Sequence, residues 1–530
     1  MTVSESDLVV LLGLLLAATG LLALAPRVGV PYPILLVVGG LAIGIAPGIP
    51  NIELPPDAVL IGVLPPLLYS AAFFTGLRDL RANARTISLL AVGLVLTTTL
   101  AVAVAAHMVI DGISWGSAFV LGAVVSPTDP LAATAIAERL GDPRRLVAII
   151  EGESLVNDGT ALVAYRFAVA AVVTGSFSLL DASLAFVWNV VAGVGIGLAV
   201  GWLIRQVRRR LDNPPVEITI ALMTGYFAYI PADLASASGV LAVVTAGVYI
   251  GWHTPELTTV QTRLQGDAVW EILTFLLNAF LFVLVGLQLP VILDALGEQS
   301  FAALAGQAAV VILVVVVMRF VWIYPTAYVP RQIVPGLQER DPAPPWRYPT
   351  LIAWTGMRGA VSLAAALAIP LTTDAGDPFP HRSLIIFLTF AVILATLVVQ
   401  GLSMPLVIRA LGLEDDHVIE REETKARIHA AEAALARIEE LAGEDWVRED
   451  TAERLRGLYR FRRSRFAARF DDEDDGQVEE RSAAYQQLLR SLLQAEREAV
   501  LALRSQGVIG DEAMSSVHRD LDLEEARLDS

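Results

Sequence analysis

Six ionisable side chains sit in long apolar surroundings: Asp129, Glu153, Asp158, Arg166, Arg319 and Arg358. A charge at the centre of a bilayer-spanning helix costs about 2.5–3.5 kcal/mol on insertion scales, so such groups persist where they pair or do chemistry. Ser154 and Asp158 are four residues apart and share a helical face, while Glu153 and Asn157 share the neighbouring one. Hydroxyl, amide and carboxylate oxygens are hard donors of the kind an alkali cation accepts in place of its hydration shell. A buried carboxylate with no fixed partner is costly as a bare anion and takes up a proton or a cation instead. The competing reading is structural: the acids salt-bridge Arg319 and Arg358 and hold a bundle together.

Two interrupted elements must position these groups. Ser126-Pro127-Thr128-Asp129-Pro130 places two prolines within one apolar stretch, which removes two backbone donors and breaks the helix. Asp129 then reads as an N-cap with Pro130 opening a second half-helix, its charge facing the positive end of the dipole. A kinked helix with a locally satisfied Asp129 is the alternative. Gly356-Met357-Arg358-Gly359 interrupts a later stretch in the same manner. A Pro-broken helix in the first half and a Gly-interrupted one in the second is the pattern of inverted repeats crossing at a substrate site.

The chain has 530 residues, 55% of them hydrophobic and 18% charged, with mean hydropathy +0.60. That excludes a soluble multidomain protein of this length. Thirteen stretches are apolar enough for transmembrane helices, at 8–25, 30–46, 57–75, 86–107, 114–138, 147–173, 184–204, 215–231, 238–252, 268–289, 302–328, 347–370 and 383–410. The expected fold is therefore an all-α polytopic membrane protein over 1–411, with a cytoplasmic helical domain over 412–530. The odd-numbered connections carry fifteen arginines against Arg382 alone in the even-numbered ones, which puts the N-terminus outside and the C-terminus in the cytoplasm. The first stretch lacks a basic region before it and reads as a retained span rather than a signal peptide. On this topology Asp158 and Arg358 lie roughly 16 Å, and Asp129 and Arg319 about 13 Å, from the cytoplasmic ends of their helices. These four converge near the midplane.

These motifs resemble those of bacterial sodium/proton antiporters of the monovalent cation:proton antiporter 1 family, which includes the eukaryotic sodium/proton exchangers. The resemblance runs through Leu64-Pro-Pro-Leu-Leu68, Ser126-Pro-Thr-Asp-Pro130, Glu151-Gly-Glu-Ser-Leu-Val-Asn-Asp158 and Gly356-Met-Arg-Gly-Ala360. It implies secondary antiport of Na⁺, with K⁺ or Li⁺ as alternatives, against H⁺ across the plasma membrane, without a cofactor. It implies that Asp158 is the exchanging carboxylate, that Ser154 and Thr128 ligate the cation with it, and that Asn157 and Asp129 support the site. It also implies a structural pair of Glu153 with Arg358, a homodimer in membrane lipid, alternating access, and electroneutral exchange from the Asn157-Asp158 pair. Ser70 stands where many relatives carry a carboxylate, and is the expected ligand there. Arg319 remains as a supporting charge.

Two other classes fit less well. A cation channel would need a carbonyl-rich filter such as Thr-Val-Gly-Tyr-Gly, which is absent. An intramembrane hydrolase would need a histidine near Ser154, and the six histidines are scattered without a Gly-x-Ser-x-Gly or His-Glu-x-x-His motif. Zero cysteines exclude thiol chemistry and Cys-ligated metal centres, and the acidic balance argues against nucleic acid as a partner. The tail holds 18 basic and 30 acidic residues. Within it Arg454 to Phe470 is basic and aromatic and is followed by Asp471-Asp-Glu-Asp-Asp475. That segment suits contact with an anionic leaflet or an autoinhibitory contact; it equally suits a solvated helix neutralised by its acidic neighbour.

Overall fold

The computed structural model describes residues 30–46, 58–130, 144–175, 178–297, 300–412, 418–468 and 477–526, with isolated positions at 13, 16, 19–22, 27, 56 and 134. Two compact units result, Met1–Asp416 and His417–Ser530. Among the described residues regular structure is helical, apart from one isolated bridge between Thr372 and Pro378. Helix is what a lipid-embedded chain must form, because it satisfies every backbone donor and acceptor within its own segment.

The first unit contains α1 (Tyr32–Ile45) and α2 (Leu64–Phe74, entered through a wide turn at Ala58–Val63), then α3 (Ala84–Val109) and α4 (Trp115–Val125). There follow α5 (Arg144–Thr174), α6 (Leu179–Arg208), α7 (Pro214–Leu234), α8 (Gly239–Leu257), α9 (Val260–Leu287) and α10 (Phe301–Ile333). The unit ends with the short α11 (Arg347–Trp354) and α12 (Ala360–Leu367) and with α13 (Arg382–Leu411). Among the described residues six helices are long and apolar enough to cross a membrane. The other expected stretches from residue 30 onward coincide with shorter, proline-containing or broken helices. The stretch 8–25 lies largely outside the described residues, so an exact count of thirteen crossings is not established.

Core residues fall into two clusters. The larger joins α1, α3, α4, α5, α9, α10 and the last three helices. The smaller joins α2, α7 and α8 with Leu155 of α5 and Trp270 of α9. Helix α5, which carries four of the nine candidate site residues, therefore runs between the two packed groups, with Leu162 touching both. Lipid tails are as apolar as leucine, so close backbone approach through small residues supplies much of the packing energy. Gly40 of α1 faces the Val283 carbonyl of α9, and Gly286 of α9 faces the Val37 carbonyl of α1. A side chain at either position would push the helices apart.

The second unit contains α14 (Val418–Leu441), α15 (Glu449–Ala468), α16 (Gln477–Ser505) and α17 (Asp511–Ala526). Arg456 of α15 bonds Glu439 of α14 at 2.9 Å, and Arg497 of α16 bonds Asp522 and Glu525 of α17 at 2.5 Å each. The acidic run 471–475 lies outside the described residues.

Gly286→Val should lower the unfolding temperature of the detergent-solubilised protein, at a cost of roughly 1–3 kcal/mol for overpacking. Gly306→Ala should leave that temperature unchanged or raise it slightly, since an added Cβ at this exposed helical position meets nothing within 4 Å.

Candidate functional site

The site begins with backbone groups that two broken helices cannot satisfy for themselves. Pro127 and Pro130 have no N–H, so α4 stops at Val125 and residues 126–130 run irregularly. In the second half, α11 stops at Trp354, residues 355–359 are irregular, and α12 starts at Ala360. The two breaks meet: the Asp129 amide donates to the Met357 carbonyl at 2.8 Å. Gly359 permits that approach, because a Cβ there would overlap the Asp129 carboxylate. Thr134 is helical and its amide donates to the Pro130 carbonyl at 2.8 Å. The rest of the second half-helix expected after Pro130 lies outside the described residues.

The remaining freed carbonyls are taken by side chains from other helices. Arg358 Nε donates to the Val125 carbonyl at 3.0 Å, its Nη1 to the Gly356 carbonyl, and its amide accepts restraint from Thr396 by donating to Oγ1 at 3.2 Å. Ser154 Oγ donates to the Thr128 carbonyl at 3.0 Å, and Asn157 Nδ2 reaches the same oxygen at 3.4 Å and Thr128 Oγ1 at 2.8 Å. Thr128 Oγ1 in turn donates to Glu153 Oε1 at 3.1 Å.

Glu153 and Arg319 form a two-pronged ion pair, Nη1 to Oε1 at 2.6 Å and Nη2 to Oε2 at 3.1 Å. Arg319 also donates to the Ile352 carbonyl at 2.8 Å. Both side chains are buried. This corrects the expected pairing: Arg319, not Arg358, holds Glu153. The reason is the second break, whose carbonyl and that of Val125 absorb the Arg358 guanidinium, leaving the carboxylate to the arginine arriving from α10. Gly356 lets the two arginine side chains pass; a Cβ there would overlap Arg319 Cδ.

Asp158 is different. Its side chain is buried, and among the described residues no hydrogen bond or ion pair engages its carboxylate. It lines a cavity of about 680 Å³ together with Ser154, Thr128, Asp129 and Ser70. The helical spacing thus separates two functions on α5, with Ser154 and Asp158 facing the cavity and Glu153 and Asn157 entering the ion-pair network. Ser70 faces the cavity, but its hydroxyl donates to the Leu67 carbonyl of its own helix at 2.9 Å. Arg166 is not in the cluster; it bonds Asp233 of α7 at 2.8 Å, with both side chains about half exposed. The sequence reading missed Asp267, Glu271 and Asn278 of α9, which also line the cavity. The signal available was Asp267 and Glu271 at a four-residue spacing where that helix enters its apolar run.

The oxygen set suits a small hard cation: the Asp158 carboxylate and the Ser154 hydroxyl from α5 and the Thr128 carbonyl from the first break bound one space. The family model described as "sodium/hydrogen exchanger, transmembrane" matches residues 13–410. The chain belongs to this family. Exchanger-family relatives include a Mycobacterium tuberculosis protein described as an uncharacterized Na⁺/H⁺ exchanger, 36% identical over 525 residues, covering 98% of this chain and 96% of that one. A Bacillus pumilus sodium, potassium, lithium and rubidium/H⁺ antiporter is 32% identical over 387 residues, covering 71% of this chain and 57% of that one. The solved sodium proton antiporter MjNhaP1 from Methanocaldococcus jannaschii shares the fold, with a TM-score of 0.61 at 19% identity over 75% of this chain and all of that one. The chain is thus a multi-pass membrane protein of an antiporter fold.

Removing one member of a buried ion pair leaves an uncompensated charge, at about 3–5 kcal/mol. Glu153→Gln should therefore sharply lower the unfolding temperature in detergent, and the double replacement Glu153→Leu with Arg319→Met should recover part of the loss.

Proposed function

We propose that this exchanger couples one monovalent cation to one proton by competition at Asp158. The observation that carries the reading is the contrast between two carboxylates five residues apart on one helix. Glu153 is saturated by Arg319 and Thr128, and Asp158 is buried beside a cavity with no bonding partner among the described residues. A proton or a cation neutralises Asp158, and the neutral site can reorient through a low-dielectric interior where the bare anion cannot. Occupancy by one excludes the other, so the two gradients drive each other without ATP or a cofactor. Ser154 and the Thr128 carbonyl complete the cation's oxygen shell, Asn157 fixes Thr128, and Asp129 adds negative potential. Glu153, Arg319 and Arg358 hold the breaks in shape.

Na⁺ is the cation of this reading. A K⁺ or Li⁺ preference is the second reading, favoured by the Ser70 hydroxyl being spent on its own helix and by the name of the Bacillus relative. Location in the plasma membrane, a cytoplasmic tail and homodimer assembly belong to the same proposal, supported by the arginine asymmetry of the connections and by the family. Reaction chemistry of an enzyme plays no part in it.

Proteoliposomes should dissipate an imposed pH gradient on addition of Na⁺, and Asp158→Asn should abolish this; normal exchange by the variant would overturn the assignment. Parallel additions of Na⁺, Li⁺ and K⁺ rank the cations. Competition requires the cation's apparent KM to rise about tenfold for each unit of pH below the carboxylate's own pKa, measurable in the same assay.

Alternating access also requires an end of the site to open. The cavity extends from Asp158 toward Glu151, with Asp267 and Glu271 among its lining. In the other direction along α5, about 12 Å from Asp158, Arg166 ties α5 to α7 through Asp233. The chain has no native cysteine, so Arg166→Cys with Asp233→Cys can be cross-linked specifically. Cross-linking should stop exchange and reductant should restore it; undiminished exchange would show that these helices stay together through the cycle.

A further inference from the structure

The tail unit carries a surface that exchange does not use. Helices α15 and α16 lie in contact, with the rings of Phe461 and Tyr485 5.8 Å apart. From there, apolar residues run back along α15 to Leu458 and Leu455 and forward along α16 to Leu488 and Leu492, and these six side chains are 36% to 61% exposed. Spacings of three and four put the residues of each helix on one face. The faces are not leftover core, since α15 buries Ala452 and Phe466 and α16 buries Leu493. Arg454 and Arg462 share the α15 face, while Arg460 and Arg463 lie further round the helix, all exposed. Among the described residues none of the four is bonded to a carboxylate, and Arg462 lies over the Tyr459 ring at 5.4 Å. An apolar centre beside arginines that bond no carboxylate among the described residues is a departure within a unit of 18 basic and 27 acidic residues.

We infer that this face docks on an anionic bilayer surface, with Leu458, Phe461 and Leu488 entering the headgroup layer and the arginines meeting lipid phosphates. Charge favours lipid over a second copy of the chain, because a two-fold contact through this face would set Arg454 and Arg462 against their own counterparts. Chain length favours it too. Residues 412–417 join the end of α13 at Leu411 to the start of α14 at Val418, and six residues span at most roughly 20 Å however they run. The tail is thus tethered at high effective concentration to the membrane its neighbouring helix crosses.

The absence of cysteine allows one nitroxide label at Leu458→Cys or Leu488→Cys in the full chain. The labelled protein is reconstituted into phosphatidylcholine vesicles, with or without about one-third phosphatidylglycerol. With the anionic lipid, label collisions with oxygen should rise and those with a water-soluble nickel chelate should fall, and high salt should reverse both. Replacing Arg454 and Arg462 by Gln should weaken the response roughly fivefold per arginine. Retained cation-driven exchange verifies that these variants fold. Identical label surroundings in both vesicle types would overturn the proposal. So would shielding from both reagents whatever the lipid, which marks contact with protein, either a second copy or the acidic segment 471–475.

Discussion

A break in a membrane helix is tolerated only if every freed backbone group finds a partner, since each unsatisfied one costs several kcal/mol in hydrocarbon. That constraint organises this protein. Two breaks from opposite halves of the chain bond each other directly through Asp129 and Met357, and their spare carbonyls recruit Arg358, Arg319, Ser154 and Asn157. Charged side chains that are expensive alone become affordable because each also completes the backbone of a neighbour.

The same requirement separates the acids. Arg358 is committed to carbonyls of both breaks, and Arg319 divides its guanidinium between Ile352 and Glu153. Neither arginine bonds Asp158, so one acid is left beside the cavity with a hydroxyl and a carbonyl oxygen for company. Glu153 and Asp158 lie about 140° apart around α5, so one helix turns one acid into the ion-pair network and the other to the cavity.

Much of this could be read in advance. Prolines at 127 and 130 force a break whatever the tertiary context, and the four-residue spacing of Ser154 and Asp158 fixes their common face. What could not be read was which arginine met which acid. Arg319 and Arg358 sit at similar depths in the sequence-based topology, and only the carbonyl count at the two breaks, a tertiary quantity, assigns Arg358 to backbone and Arg319 to Glu153. Ser70 shows the same limit, because whether a helical serine faces outward or bonds its own turn is a rotamer choice. Asp267, Glu271 and Asn278 escaped notice because they lie on a helix without a broken motif, and their relevance comes entirely from what that helix faces.

On the proposed reading, charge at the centre fixes the stoichiometry. Asp129, Glu153 and Asp158 bring three negative charges, and Arg319 and Arg358 bring two positive ones. The Glu153–Arg319 pair cancels itself, and as a formal count of these five groups Arg358 leaves one acid over. The deficit is a single negative charge, which one proton or one monovalent cation neutralises and two would overfill. Movement of a neutral centre in both directions transfers no net charge, so the rate should be insensitive to membrane potential. The Asn157 amide beside Asp158 matters here for what it lacks: a carboxylate in its place would make the deficit two and demand a second positive guest on one limb of the cycle.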